Sequence, residues 1–131
     1  MRVKKELLIP RLGNHYSYHD VLIVIDQLKT EFPDMVQVSS FGRSYENRDI
    51  PLLTVSMGKG SWKEKPAILI TGAHHAREAV SIQMPFYIIF KILHGAIHGD
   101  EYYIDLLEHN TLYIVPMLNV DGVFDIEQTF F

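Results

Sequence analysis

The sequence predicts an α/β fold in which helices cover a mixed sheet. The first observation is the order of elements, because segments with strand character and segments with helix character follow one another along the chain. The second is the length of 131 residues, which suits one domain. The third is composition: 47% apolar and 21% charged residues are an ordinary balance for a globular core.

The chain is predicted to begin its folded part with a helix. Ser17 and Asp20 match the S-x-x-D pattern of a capping box, and Pro33 provides a stop. We therefore expect a helix from Tyr18 to about Phe32.

A β-hairpin is predicted next. Met35–Phe41 and Ile50–Met57 are rich in apolar residues, and the first of them alternates loosely in the manner of a strand. The polar segment Gly42–Asp49 separates them and reads as their turn. We expect the two strands to pair with each other, and Gly58–Ser61 to end the second.

The rest of the chain is predicted to add two strands and further helices. Pro66–Thr71 is a short apolar run, typical of a buried central strand. A helix from Ala79 to about His94 is apolar on nearly every face and is expected to be buried, with Pro85 delaying its start to Ser81 or kinking it. The remaining predictions are a loop around Gly95–Asp100, a short helix at Glu101–His109, a strand at Thr111–Leu118 and a turn at Asn119–Gly122.

Composition excludes several classes of protein and site. Twelve basic and sixteen acidic side chains give a net charge of −4, which argues against nucleic acid or an anionic membrane surface as partner. The absence of cysteine excludes disulfides, thiolate metal sites and cysteine nucleophiles. Met1–Pro10 lacks the long apolar core of a secretory signal, and the apolar run Ala79–Phe90 is short for a membrane span. The sequence does not indicate a cellular compartment.

Residues with metal-binding chemistry cluster between the third strand and the second helix. The segment Gly72–Glu78 follows the predicted strand, at the end where sites form in open α/β sheets. His75 and Glu78 are three residues apart and can converge on one zinc ion, which favours imidazole and carboxylate ligands. Arg77 could hold a carboxylate or a carbonyl group.

The H-x-x-E spacing alone leaves alternatives open. His98 and Glu101 match it too, within a segment that reads as an exposed loop. His74 competes with His75, and spacing does not decide between them. Glu78 is also the kind of acidic residue that stabilises a helix start without binding a ligand.

Three motifs resemble those of the zinc carboxypeptidases of the carboxypeptidase A/B type and follow the family's order along the chain. His75–Glu78 resembles the family's H-A-R-E or H-S-R-E signature. Val38–Ile50 resembles its hairpin turn, "G-x-S-x-E-G-R", with Asn47 where glycine is common. Val115–Gly122 resembles its strand ending in N-P-D-G, with Val120 in place of proline. The resemblance covers nearly all of residues 15–123.

The resemblance implies roles for the residues that match. His75 and Glu78 would be zinc ligands, in preference to His74, and Arg77 would bind substrate. Asn119, Asp121 and Gly122 would be structural turn residues near the site.

The resemblance also implies that the chain holds the amino-terminal half of the fold. We expect an N-terminal extension at residues 1–14 and a partial catalytic domain, truncated at its C-terminus, at residues 15–131. The third zinc ligand and the glutamate general base are expected beyond Phe131, so no catalytic residue is identified within the chain. The tail Phe124–Phe131 does not continue in the family manner.

The function expected from this resemblance is zinc-dependent removal of C-terminal residues from peptides and proteins, with the 131-residue chain inactive alone. One alternative is an inactive, truncated peptidase-like fragment that binds a peptide or a partner chain. Another is an amidohydrolase of the aspartoacylase type, which also uses a strand-borne H-x-x-E. An unpaired sheet edge, expected near Thr111–Leu118, predicts self-association.

Overall fold

The structure, a computed structural model, describes residues 16–130, and the predicted extension at residues 1–14 lies outside them. The described part confirms an α/β fold with one four-stranded mixed sheet. Its helices and strands are α1 (Tyr18–Glu31), β1 (Val36–Arg43), β2 (Asp49–Val55), β3 (Ala67–Thr71), α2 (Val80–Ile97), α3 (Glu101–His109), β4 (Thr111–Val115) and α4 (Val120–Phe130).

Local signals placed the first three elements correctly. Ser17 and Asp20 form the predicted capping box, and each side chain accepts a hydrogen bond from the other residue's backbone N–H. β1 and β2 pair antiparallel, with an irregularity between Ser40 and Gly42. In the turn between them, Asn47 adopts a φ of 64°, a conformation that asparagine tolerates better than most residues.

The four strands lie in the order β1-β2-β4-β3. β2 and β4 are antiparallel, whereas β3 and β4 are parallel. The parallel pair needs a long crossover connection, and α2 and α3 supply it. One face of the sheet contributes to the core the side chains of Val36, Leu53, Val55, Leu112 and Ile114. The helices complete this core with Val21, Val24, Ile25 and Leu28 of α1 and Ile82, Phe86, Ile89 and Leu93 of α2.

The prediction that Pro66–Thr71 forms a buried central strand is wrong for the described chain. β3 is an edge strand of the sheet, and Ile68 and Leu69 are 53% and 58% exposed. The predicted unpaired edge near Thr111–Leu118 is wrong too, because β4 has neighbours on both sides. An apolar run indicates that a segment is a strand, but it does not indicate which strands lie beside it in the sheet.

Helix α2 differs from its prediction in length and burial. It runs to Ile97 and so includes part of the predicted loop. It starts at Val80, one residue from the delayed start expected near Ser81, and Pro85 lies within it. The helix is not buried on every face. Val80, Met84 and Tyr87, spaced one helical turn apart, are 64%, 42% and 42% exposed.

Helix α2 is also long and apolar enough to cross a membrane by length and composition. Its mean hydropathy is 1.4, and half of the 18-residue segment is buried inside the protein. The core helix of a globular protein passes the same test, and Ile82, Phe86, Ile89 and Leu93 lie in the core described above.

The predicted turn at Asn119–Gly122 is instead the start of α4. Asn119 Oδ1 accepts a hydrogen bond from the backbone N–H of Gly122 at 3.0 Å, as an N-cap residue does. The helix continues through the tail to Phe130 and packs against α1. There Glu127 Oε1 accepts a bond from the N–H of Tyr18 at 2.6 Å.

Candidate metal and substrate site

The predicted site lies in the loop between β3 and α2. Its first residue, Gly72, donates its N–H to Val115 O at 2.9 Å, and Gly72 O accepts from Leu118 N at 2.9 Å. These bonds extend the β3–β4 pairing past the carboxyl ends of both strands. The loop therefore begins from a fixed position at the end of the sheet where α/β sites form.

Ala73 turns the chain out of the sheet. It is fully buried and has a φ of 51°, in the left-handed region that non-glycine residues seldom adopt. Its N–H donates to Ser81 Oγ at 3.0 Å, and its carbonyl accepts from Asn119 N at 2.9 Å. Bonds from two helix starts thus hold this strained turn.

A tight turn brings His75 and Glu78 together. The N–H of Glu78 donates to the carbonyl of His75 at 3.1 Å, and Ser81 Oγ donates to Glu78 O at 2.5 Å. The two side chains meet with His75 Nδ1 and Glu78 Oε1 3.2 Å apart. They are 79% and 62% exposed, respectively.

His74 lies apart from this pair. Its Nε2 is 2.7 Å from Thr71 Oγ1, so its ring is engaged by the end of β3. The structure therefore places His75, and not His74, against Glu78. The second H-x-x-E match behaves differently: His98 caps the end of α2, with its Nδ1 2.8 Å from His94 O, and Glu101 begins α3.

The donor set of His75 and Glu78 suits zinc, which binds imidazole nitrogen and carboxylate oxygen. Without an ion, the two groups satisfy each other across 3.2 Å. Within residues 16–130, no group of three or more histidine, aspartate or glutamate side chains is placed to hold a metal. The described chain therefore brings together two candidate ligands, one fewer than the three protein ligands of an ordinary catalytic zinc site.

Arg77 lies between these two residues in sequence and is exposed. Within the described range 16–130, its guanidinium makes no hydrogen bond or ion pair. It is thus available to an anionic or carbonyl group from outside the chain.

Asn119 connects the site loop to α4, a role that the sequence analysis missed. Its Nδ2 donates to His74 O at 3.2 Å while its Oδ1 caps the helix through Gly122 N. Only the capping half of this role had a signal in the sequence, because Asn is a favoured N-cap and Asp121 adds an acidic side chain to the first helical turn.

Asp121 fastens the hairpin turn to the same helix. It accepts hydrogen bonds from Ser44 Oγ at 2.7 Å, from the N–H of Glu46 at 3.0 Å and from Arg48 Nη1 at 2.7 Å. Partial burial raises the pKa of the Asp121 carboxyl, but these three donors outweigh it and hold the pKa below its ordinary value. Arg48 also pairs with Glu46 and lies over the ring of Phe124, 3.9 Å from its centroid.

Comparison with known proteins gives the family. The zinc carboxypeptidase profile, peptidase M14, matches residues 21–129. The match reaches into α4, so the expectation that the tail from Phe124 departs from the family is wrong as far as residue 129.

Individual relatives agree with the profile. Carboxypeptidase B of Astacus astacus is 32% identical over 109 residues, which are 83% of this chain and 34% of the relative. An inactive metallocarboxypeptidase of Saccharomyces cerevisiae is 33% identical over 113 residues, 83% of this chain and 26% of that protein. The crystal structure of carboxypeptidase A from Helicoverpa armigera superposes with a TM-score of 0.74 at 29% identity, covering 87% of this chain and 27% of that one.

The chain spans about a third or less of the length of these relatives. Within that part the fold and the sequence profile agree. The chain belongs to the zinc carboxypeptidase family.

Proposed function

We propose that this chain is part of a zinc-dependent metallocarboxypeptidase that removes C-terminal residues from peptides and proteins. The observation that carries the proposal is the pairing of His75 and Glu78, 3.2 Å apart, at the carboxyl end of β3 in a chain of this family. His75 and Glu78 would hold the zinc ion. Bound zinc would polarise the scissile carbonyl and lower the pKa of a bound water.

The roles of the chain's own residues follow from their positions. The backbone of the turn from His75 to Glu78 is held by Ser81 and by the Glu78–His75 backbone bond, which would keep both side chains at the same position. The free guanidinium of Arg77 would bind the peptide backbone or a carboxylate of the substrate next to the ion. The described residues offer no third ligand, so we expect the 131-residue chain to be inactive alone.

Zinc binding resolved by residue tests the ligand assignment. We expect zinc to shift the imidazole NMR signals of His75 and to leave those of His74 unchanged. His75→Gln and Glu78→Gln should each weaken binding at this position by roughly tenfold or more, since even partners of metal ligands contribute about that much. His74→Gln is the matched control. Equal weakening by His74→Gln would contradict the assignment.

Peptide hydrolysis tests the activity of the chain alone. Release of C-terminal residues is followed by mass spectrometry, with zinc and with a chelator. Zinc-dependent, chelator-sensitive release by the 131-residue chain would contradict its expected inactivity and would place a complete catalytic set within it. The intact mass of the native protein, compared with the 15.1 kDa of this chain, identifies the polypeptide to which the assay should next be applied.

A non-catalytic role is the second candidate. One relative, from Saccharomyces cerevisiae, is named an inactive metallocarboxypeptidase. A chain that keeps Arg77 and the fold but lacks a complete metal site could bind a peptide C-terminus without cleaving it. Peptide binding that persists in a chelator and is lost in Arg77→Ala would favour this role.

The partners proposed for the chain are peptide or protein C-termini and a second copy of itself. The second partner rests on the open edge of β3, whose residues Ala67–Thr71 carry no charge. Uncharged open edges are templates for pairing with another strand.

A further inference from the structure

A second pair of histidines lies at the far end of α2. His94 is in the last turn of the helix, and His98 is its C-cap residue. Their rings stack with centroids 4.1 Å apart and an interplanar angle of 29°. Both residues are exposed. A separation of four residues on a helix places two side chains on the same face, one turn apart.

One of these rings is held in the form that binds metal ions. His98 Nδ1 lies 2.8 Å from the carbonyl oxygen of His94. A carbonyl oxygen only accepts, so His98 Nδ1 carries the proton and donates it. In the neutral imidazole, the lone pair is then on Nε2. A ring N–H donated to a backbone carbonyl is the arrangement that orients metal-binding histidines.

The charge around the pair favours a cation. The last carbonyl groups of a helix carry partial negative charge, and both histidines lie at that end of α2. Residues 92–108 contain Asp100, Glu101, Asp105 and Glu108 but no lysine or arginine. The basic residue nearest to the pair in sequence is Lys91, three positions before His94 on the same helix, and its flexible side chain is exposed.

We propose that His94 and His98 form a surface chelate for a divalent transition-metal ion that favours imidazole, with Cu²⁺ bound more tightly than Ni²⁺ or Zn²⁺. This site is separate from His75 and Glu78, since the 18-residue helix α2 places about 27 Å between its two ends. To hold the ion, the His94 ring would turn out of the stack so that its in-plane nitrogen lone pair meets that of His98 Nε2, and water would complete the coordination. The inference does not depend on the proposed peptidase function.

Paramagnetic NMR of the histidine-labelled chain tests the site directly. Substoichiometric Cu²⁺ is expected to broaden the ring signals of His94 and His98 before those of other histidines. Mn²⁺, which stands lowest in the affinity order and favours oxygen ligands, should leave them sharp at the same concentration. Acidification should weaken Cu²⁺ binding, because protons compete for the same lone pairs.

Matched variants separate the pair from the other histidines. His94→Gln and His98→Gln should each lower Cu²⁺ affinity by roughly tenfold or more. His109→Gln is the control, because His109 is an exposed helical histidine whose Nδ1 also lies near a backbone carbonyl four residues earlier, but no other histidine of residues 16–130 stacks on it. Cu²⁺ should also raise the thermal unfolding midpoints of the wild type and of His109→Gln by more than that of His98→Gln, which keeps only the His75–Glu78 pair.

The proposal is overturned if Cu²⁺ first broadens His74 and His75 while His94 and His98 stay sharp. It is also overturned if His94→Gln and His98→Gln bind Cu²⁺ as tightly as His109→Gln. Circular dichroism of each variant confirms that it is folded. His75→Gln leaves the far end of α2 intact. The ring signals of His94 and His98 therefore test the Cu²⁺ site, and those of His75 test the zinc-ligand assignment separately.

Discussion

At the scale of single residues, the site depends on how closely the loop can approach α2. A Cβ atom on Gly72 would lie 2.1 Å from Ser81 O and 2.7 Å from Pro116 O. Ser81 O is the carbonyl that would accept from the residue at position 85, but Pro85 has no N–H to donate. The proline and the glycine therefore act together, since the carbonyl that Pro85 leaves without its usual helical donor comes against the bare backbone at the end of β3.

Gly72→Ala is expected to destabilise the fold by about 3 kcal/mol or more, because two backbone oxygens would have to move. Urea unfolding followed by circular dichroism measures the change. Gly58→Ala is the control: it has open space around its Cβ and a φ of +84°. Its free energy of unfolding should fall by only about 1 kcal/mol, which is the cost of a left-handed conformation for alanine. Equal losses in the two variants would contradict the clash.

The ion pair of Asp121 predicts a dependence of stability on pH. Hydrogen bonds from Ser44, Glu46 and Arg48 hold the pKa of folded Asp121 below its ordinary value of 3.8. A lowered folded pKa stabilises the protein fully above the unfolded pKa, and this contribution is lost as pH falls through the folded pKa. Asp121→Asn should therefore destabilise the protein near neutral pH, and its difference from the wild type should shrink below about pH 4.

Urea midpoints between pH 7 and pH 3 measure this difference. Asp125→Asn is the matched control, because it removes one carboxylate from the same helix at an exposed position. A difference between Asp121→Asn and the wild type that stays constant across this range would contradict the role of the ionised carboxylate.

The contact between His75 and Glu78 was predictable because its signal is local. His75, Arg77 and Glu78 lie within four consecutive residues, and the turn that joins them is closed by bonds inside the same segment. The choice of His75 over His74 needed the family resemblance, since it depends on how Thr71 and Ala73 direct the loop. The role of Asn119 depends on a contact across 45 residues, which no local pattern reports.

At the scale of helices and strands, the same contrast holds. The capping box at Ser17 and the hairpin of β1 and β2 were predicted correctly, because residues close in sequence define them. The neighbours of β3 in the sheet and the start of α4 were not predicted correctly. Asn-x-Asp-Gly is typical of a turn, and only the apolar positions after it, among them the buried Val123, show that a helix follows.

Asn119 ties α4 to the site loop, and two substitutions separate its two bonds. Asn119→Ala removes the cap on Gly122 N and the donor to His74 O, and it should cost about 1 kcal/mol or more. Asn119→Asp keeps an oxygen acceptor for the cap but loses the donor, so it should retain most of the stability. Chemical denaturation measures both.

The lost donor should appear at the site. In both variants, the backbone amide signal of His75 should shift, because its peptide carbonyl on His74 has lost a partner. A shift in Asn119→Ala but not in Asn119→Asp would contradict this bridge and would leave the residue with a capping role alone.

At the scale of the whole molecule, the sheet of the described chain ends on an unprotected strand. The carbonyl oxygen of Pro66 and the N–H of Gly72 both bond to β4. Because backbone groups alternate in direction along a strand, the N–H and C=O groups of Ala67, Leu69 and Thr71 point toward the open edge. No charge, proline or bulge interrupts this strand between its ends. Those are the devices that keep edge strands from pairing with other chains.

We therefore expect the 131-residue chain to self-associate by antiparallel pairing of β3 with β3 of a second copy, centred on Leu69. Sedimentation velocity should show a species larger than the 15.1 kDa monomer whose fraction rises with concentration. In this pairing residue 69 lies opposite its own copy. Leu69→Lys would place two like charges across the symmetry axis and should shift the protein to the monomer.

The control is Ile23→Lys, which adds the same charge at an apolar position of α1 that is 43% exposed and distant from the edge in the fold. It should associate as the wild type does. If association came instead from general apolar exposure, both variants would reduce it alike, and pairing through β3 would be wrong. A wild-type chain that stays monomeric at every concentration would show that the open edge, although free of charge, is too short at five residues to hold two copies together.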